Sequence, residues 1–331
     1  RFAVEAPHQL TPDLRVTVDA HVGLSRLGSE RRPVAQVLRE AQMALFEGEG
    51  GPGAVWTEFD AALDDKVHER MQLTDELRTA IDGGELRLNF HPEVYTRSGR
   101  LFAAEALVRW QHPERGLLAP GAFVPLAEQT GLILPLGRWV LDEACRKLAT
   151  WKDTLGVTRL AVNASAEELR AGGYADHVLD TLNRHAVPPT MMTIEVTESA
   201  LAREYGMVAE ELRTLRTAGV HVALDDFGTG YASLAYLKRF PFDHVKIDKM
   251  FVADMATDAY SRSVIEAVVA LTGTLGASVI AEGVETEAQR RMLIDLHCEI
   301  AQGFHFCLPL DEEDFEWLLS NRQTLPLDVS A

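Results

Sequence analysis

Short apolar runs alternate with amphipathic stretches along most of the chain. Short runs rich in apolar residues predict strands at 86–94, 101–109, 159–162, 192–195, 222–224, 244–247, 278–281 and 300–302. Between them, helical periodicity predicts helices at 120–129, 136–155, 166–186, 208–218, 259–275, 287–296 and 312–320, with a short one at 231–239. Strands alternating with helices over 85–322 predict an α/β fold, a (β/α)8 TIM-like barrel, followed by a tail at 323–331. The first two strands are joined by the turn Thr96-Arg-Ser-Gly-Arg100, so one strand is expected to run antiparallel.

The pattern ahead of residue 85 differs. An alternating stretch at 14–22, an amphipathic helix at 32–46 and a second strand at 54–59 predict a partial α+β segment over 1–58. The charged helical run at 61–81, stopped by Asp82-Gly83-Gly84, predicts a linker helix within 59–84.

Composition narrows the class. The 331 residues are 47% hydrophobic and 25% charged, as in soluble globular proteins. A formal net charge of -18 argues against a nucleic-acid polymer as partner, which would need a basic face. Three scattered cysteines, Cys145, Cys298 and Cys307, give neither a zinc ribbon nor a disulfide framework and fit buried reduced thiols in a cytoplasmic protein. No uncharged apolar stretch is long enough to cross a bilayer and no signal peptide is evident. The chain opens on Arg1, so it is expected to be a fragment of a longer protein that could be membrane-tethered upstream.

Candidate chemistry gathers at one end of the strands. One strand carries Glu105, Arg109 and Trp110; others end at Asn163, at Glu195 with Glu198 beyond, and at Asp225-Asp226. The rest carry Lys246 and Asp248, Glu282 with Glu285 after it, and Gln302. In a barrel of this kind the C-terminal strand ends bear the chemistry. Adjacent carboxylates repel unless a cation lies between them, and hard oxygen ligands suit Mg²⁺ or Mn²⁺. Five carboxylates and an amide exceed what one cation balances. Two divalent cations about 3.5–4 Å apart, bridged by the Asp pair, suit them better. Arg109 can then take a phosphate oxygen and Lys246 can hold or deprotonate a water, which reads as metal-dependent hydrolysis of a phosphoester.

These residues also resemble the EAL domain, the phosphodiesterase of cyclic di-GMP. The resemblance rests on Glu105-Ala-Leu-Val-Arg-Trp110, His112-Pro-Glu-Arg-Gly116, Val162-Asn-Ala-Ser165 and Glu195-Val-Thr-Glu-Ser199. It continues through Asp225-Asp-Phe-Gly-Thr-Gly-Tyr231, Val245-Lys-Ile-Asp248, Ala281-Glu-Gly-Val-Glu-Thr286 and Gln302-Gly303, in order over 68–320. It implies hydrolysis of cyclic di-GMP to linear 5′-pGpG with two Mg²⁺ or Mn²⁺. Glu105, Asn163, Glu195 and Asp225 would hold one ion, and Asp225, Asp226 and Glu282 the other. Lys246 would orient the water, and Glu105 and Glu285 complete the catalytic set. Substrate contacts are expected from His91, the Val108 backbone, Arg109, Asp248, Gln302 and Pro309. The loop from Phe227 through Gly228, Thr229 and Gly230 to Ser233 would shape the metal site and join homodimer contacts, with Glu198 steadying it.

Two departures stand out. His91-Pro92 occupies the place of a Gln-Pro pair whose glutamine contacts the nucleotide, which implies altered guanine binding. Phe304-His-Phe-Cys-Leu-Pro309 has Cys307 and Leu308 where Gly or Ser and then Arg are usual. Residues 1–58 resemble the C-terminal part of a GGDEF diguanylate cyclase domain, through Val16-Thr-Val to Val22-Gly23 and Arg39-Glu-Ala-Gln-Met-Ala-Leu-Phe46; the signature loop is absent. The competing expectation is an inactive EAL domain that serves as a receptor for cyclic di-GMP or as a protein-interaction module.

Overall fold

The computed structural model describes residues 8–11, 14–16, 21–26, 32–48, 56–154, 159–203, 205–228, 240, 242–321 and 324–325. Two compact units divide between Glu76 and Leu77. In the N-terminal unit, strands β1 (His8–Thr11) and β2 (Leu14–Val16) pair antiparallel. Strands β3 (Val22–Leu24) and β4 (Trp56–Glu58) pair parallel, with helix α1 (Val34–Gly48) between them in sequence. Of the stretch expected as one strand over 14–22, residues 14–16 lie in β2 and Val22 opens β3, while 17–20 lie outside the described residues. Helix α2 (Ala61–Gly83) crosses the boundary between the units. Its last turns bury Leu77, Ala80 and Ile81, the spacing of one helical face.

The second unit is a closed barrel. Eight strands form it: β5 (Leu86–Tyr95), β6 (Leu101–His112), β8 (Leu160–Ala164), β9 (Met192–Thr197), β10 (His221–Phe227), β11 (His244–Ile247), β12 (Ser278–Ala281) and β13 (Ile300–Gln302). A ninth strand, β7 (Gly116–Leu118), hangs on β6 as an antiparallel extension. From β6 through β13 the barrel strands run parallel, whereas β5 is antiparallel to both β6 and β13. The expected antiparallel strand is therefore β5, and its two pairings close the barrel.

Helices cover the outside: α3 (Val124–Thr130), α4 (Ile133–Thr154), α5 (Ala166–Arg170), α6 (Tyr174–Arg184), α7 (Glu198–Arg203), α8 (Tyr205–Thr217), α9 (Lys249–Asp254), α10 (Ala259–Leu275), α11 (Glu287–Asp295) and α12 (Glu312–Asn321). The outward face of β5 meets this layer through Phe90, whose ring lies 4.8 Å from Trp151 and 5.2 Å from Phe315. Such aromatic packing excludes water between barrel and helices.

Several boundaries differ from those predicted by periodicity. The helix expected over 166–186 is broken into α5 and α6, because Gly172 and Gly173 take φ of 75° and 73°, outside helical geometry. Ser165 and Glu168 close a capping box that starts α5. Strand β8 continues through Asn163, and β10 continues through Asp225, Asp226 and Phe227, so these polar residues lie within strands instead of just after them. A register irregularity between Leu224 and Phe227 accommodates Asp226, which sits at φ 53°. Thr229, Gly230 and the helix expected at 231–239 lie outside the described residues.

Candidate active site

At the C-terminal ends of the parallel strands, Lys246 of β11 is fully buried. Its Nζ lies 2.7 Å from Glu282 Oε1, 3.1 Å from Glu195 Oε2, 3.3 Å from Glu105 Oε2 and 3.6 Å from Asp225 Oδ1. Inward-facing positions of β6, β9, β10 and β11, with the residue just past β12, thus converge on one ammonium. Asn163 donates from Nδ2 to Glu105 Oε1 at 2.8 Å, and Gln302 donates from Nε2 to Glu105 Oε2 at 3.1 Å. The Glu105 carboxylate is therefore held in one orientation by groups from three other strands.

Four carboxylates around one ammonium leave an excess of negative charge, and burial magnifies it. Burial pushes Glu195 well above the usual carboxylate range, against the pull of Lys246. It raises Glu282 to about 8 in the same way. For Glu105 the burial cost is outweighed by Lys246, Asn163 and Gln302, leaving it below its ordinary value. Lys246 pays the desolvation of a buried ammonium, yet Asp225, Glu105, Glu195 and Glu282 together hold its pKa well above normal. A cluster that takes up protons to relieve its charge is one that would accept added cations.

Asp225, Asp226 and Glu282 present ligand oxygens that all lie within 4.8 Å of one another. Asp226 is raised to about 6, by burial first and then by Asp225 and Asp248. Its unusual φ turns the backbone so that its N–H bonds Asp225 Oδ1 at 2.9 Å, and consecutive carboxylates share one neighbourhood. In an extended strand they would point to opposite faces. These donors fit a hard divalent cation. Asn163 fits the adjoining position as well, because its Nδ2 is committed to Glu105 and its carbonyl oxygen is the atom left to coordinate.

The remaining candidates fall around this centre. Asp248 caps α9, accepting from Met250 N at 2.8 Å, and bonds the Asp226 side chain. Glu198 accepts the Gly228 N–H at 3.1 Å, tying the end of β10 to the start of α7. Phe227 is buried. Arg109 folds back onto the Val108 carbonyl at 2.9 Å. At the mouth, His91 Nε2 lies 3.1 Å from the Cys307 carbonyl, and Phe304 is exposed with its ring 6.1 Å from the imidazole. Burial lowers His91 to about 4, so the ring is neutral. The Pro309 carbonyl accepts from Asn89, and the Glu285 N–H bonds Gln289; neither bonds the Lys246 cluster.

Sequence reasoning passed over Glu93. It is 2% exposed, faces the barrel interior from β5, and is raised to about 7, chiefly by burial. Its one signal was its place in an alternating strand, on the same face as His91.

The EAL domain family matches residues 74–309. The bifunctional diguanylate cyclase/cyclic di-GMP phosphodiesterase MucR of Pseudomonas aeruginosa is 37% identical over 311 residues, 94% of this chain and 45% of that protein. The oxygen sensor protein DosP of Escherichia coli is 34% identical over 326 residues, 98% of this chain and 39% of that one. The chain thus spans less than half the length of these relatives. A solved structure of the MucR phosphodiesterase in complex with c-di-GMP superposes with a TM-score of 0.71 at 43% identity, covering 74% of this chain and 99% of that one. The EAL enzyme Bd1971, bound to cAMP and cyclic di-GMP, superposes with a TM-score of 0.74 at 26% identity, over 88% of this chain and 77% of that one. With a barrel whose strand ends converge on Lys246 and a family match over most of its length, this chain belongs to the EAL domain family.

Proposed function

We propose that the barrel hydrolyses cyclic di-GMP to linear 5′-pGpG with two divalent cations, Mg²⁺ or Mn²⁺. The observation that carries this reading is the ring of Glu105, Glu195, Asp225 and Glu282 around buried Lys246, beside the Asp225-Asp226-Glu282 triad. The named activity of MucR and the ligand of its solved structure support the substrate. Glu105, Asn163, Glu195 and Asp225 would hold one cation, and Asp225, Asp226 and Glu282 the second. Bound there, the cations supply Lewis-acid charge that acidifies water and offsets charge on phosphoryl oxygens.

The chain's own groups do the rest. Lys246 is fixed by four carboxylates and orients the attacking water from below. Arg109, half-buried, offers its guanidinium to a phosphate oxygen. Gln302 and Asn163 fix Glu105 so that the ligand set is preorganised. Water oxygen bonds phosphorus, the bond to the 3′ oxygen breaks, and that oxygen gains a proton. Homodimerisation through the barrel belongs to the same reading. So does the identity of residues 1–58 as part of a GGDEF-like domain, which the alignment with MucR over 94% of the chain supports.

Incubation of the protein with cyclic di-GMP and Mn²⁺ should yield pGpG; binding without turnover would sink the proposal in favour of a receptor. Glu105→Ala should remove turnover and weaken Mn²⁺ binding by at least tenfold in calorimetry. Retained Mn²⁺ affinity would remove Glu105 from the ligand set.

A further inference from the structure

Beneath the cluster, at the N-terminal ends of the parallel strands, the barrel floor is polar. Arg159, His221 and His244 lie at inward-facing positions there, and Glu93 joins them from β5, on the level of Arg159. Among the described residues, Glu93 Oε1, Arg159 Nε, His221 Nδ1 and His244 Nδ1 are buried with no hydrogen-bond partner. Arg159 Nη1 lies 2.8 Å from His244 Nε2; a guanidinium only donates, so Nε2 accepts and Nδ1 carries the ring proton. Burial lowers His244 to about 4, consistent with this neutral form. Glu93 and Arg159 each feel the other's charge, yet one carboxylate oxygen and one guanidinium N–H stay unbonded. Opposite charges in one buried layer that do not bond directly call for something polar between them, and water is the usual bridge.

The floor also reaches the surface. The rings of His221 and His244 stack 5.8 Å apart, and His221 lines a pocket of about 460 Å³ with Thr190, Arg216, Gly219 and Asp243. Arg216 is bonded to Asp243 through two nitrogens, at 2.8 and 3.0 Å, so the pocket wall is charge-balanced and suits water more than an anion. His221 Nδ1 stands 3.9 Å from Asp243 Oδ2, beyond hydrogen-bond reach.

We propose that the barrel floor is a hydrated passage from this pocket, past His221, His244 and Arg159, to Glu93, and that it carries the proton released by hydrolysis to the face opposite the substrate. The proposal rests on the phosphodiesterase reading. Hydrolysis uses one water: its oxygen joins phosphorus, one proton goes to the departing 3′ oxygen, and the second leaves as the new phosphomonoester ionises. With substrate over the mouth, the floor offers that second proton a separate way out. Glu93 is the floor carboxylate that accepts it, and bridging waters hand the proton on.

A high-resolution crystal structure of the full chain should show ordered water joining Glu93 Oε1 to Arg159 Nε and touching both histidine Nδ1 atoms. Direct bonds between these groups, with no water, would overturn the passage. His221→Trp, which fills the pocket, should slow solvent exchange of the His244 ring proton at least tenfold by NMR. It should also lower kcat about fivefold, with KM and Mn²⁺ affinity unchanged and a larger solvent deuterium isotope effect. Glu93→Gln preserves the shape and should reproduce the kcat and isotope changes without closing the pocket. If both variants fold and leave kcat and the isotope effect at wild-type values, the proton route is wrong. If the wild-type chain does not turn over cyclic di-GMP, the function and the proton route fall together, while the waters and the exchange rate still decide whether the passage exists.

Discussion

At position 91 the imidazole has already committed one nitrogen, since Nε2 meets the Cys307 carbonyl at 3.1 Å. A neutral ring in that state donates there and keeps a single acceptor, Nδ1, for anything at the mouth. A glutamine would offer both a donor and an acceptor. His91→Gln is expected to lower KM for cyclic di-GMP about threefold, the size of one modest hydrogen bond, with kcat unchanged. The sign of its pH effect follows from the neutral ring. With His91 lowered to about 4, it carries no proton to lose between pH 5 and 8, so the substitution should leave the pH profile of kcat/KM unchanged in shape. A shifted acid limb would mean that the ring is charged in the working enzyme. Residues of this kind differ in how far the sequence exposes them. Asp225 and Glu282 were legible because each ends an apolar run at the same end of its strand, and Lys246 because it interrupts the apolar run between them. Glu93 was not, because only closure of the barrel decides that its face of β5 points inward. The contact of Glu198 with Gly228, between residues 30 apart, was expected only through the family resemblance.

At the scale of elements, the end of β10 and the start of α5 carry separate burdens. Gly228 has φ 102°, and a Cβ there would come within 2.5 Å of the Phe251 ring on α9. Gly228→Ala should therefore cost about 2 kcal/mol in denaturant unfolding, combining backbone strain with overpacking. A loss under about 0.5 kcal/mol would show that the ring gives way freely. Glu168 illustrates a different conflict. It completes the capping box of α5, accepting from both Ser165 N and Ser165 Oγ, while burial raises it to about 7. The folded chain then holds a proton that the unfolded chain releases near pH 4.5. The stability this contributes is whole below about 4.5 and is lost as pH rises to about 7, amounting to about 3 kcal/mol. Glu168→Gln should flatten the unfolding free energy across that window; an unchanged slope would place the carboxylate in a wetter setting. Ser165 and Glu168 have the spacing that a capping box requires, although no cap was read from it. The break at Gly172-Gly173 was passed over, although two consecutive glycines are themselves a helix-stop signal.

At the scale of the whole molecule, the two compact units make a test of independence possible. Leu77, Ala80 and Ile81 are the buried end of α2 and lie in the barrel unit. A chain lacking residues 1–69 keeps that face intact. It is expected to unfold cooperatively within a few degrees of the full chain's barrel transition and to turn over cyclic di-GMP within about threefold. A broadened transition would mean that the N-terminal unit contributes to barrel folding. The barrel was readable from strand–helix alternation alone. Its antiparallel member was readable from the short turn after β5, whereas the added strand β7 and the two short helices α7 and α9 were not. Each of these three is six residues or fewer, too short for periodicity to register.

The antiparallel strand β5 also dictates when the molecule can become complete. It pairs with β13, and beyond that pairing Thr96 bonds Glu299 and Cys298, while Phe90 exchanges backbone bonds with Leu310. These partners are more than two hundred residues apart, so closure demands a long loop and comes late in folding. During synthesis, β5 emerges early with its β6 partner but with its other edge unpaired until the last strand arrives. A chain stopped short of residue 300 would carry two open edges, on β5 and β12, and is expected to aggregate instead of forming a smaller barrel.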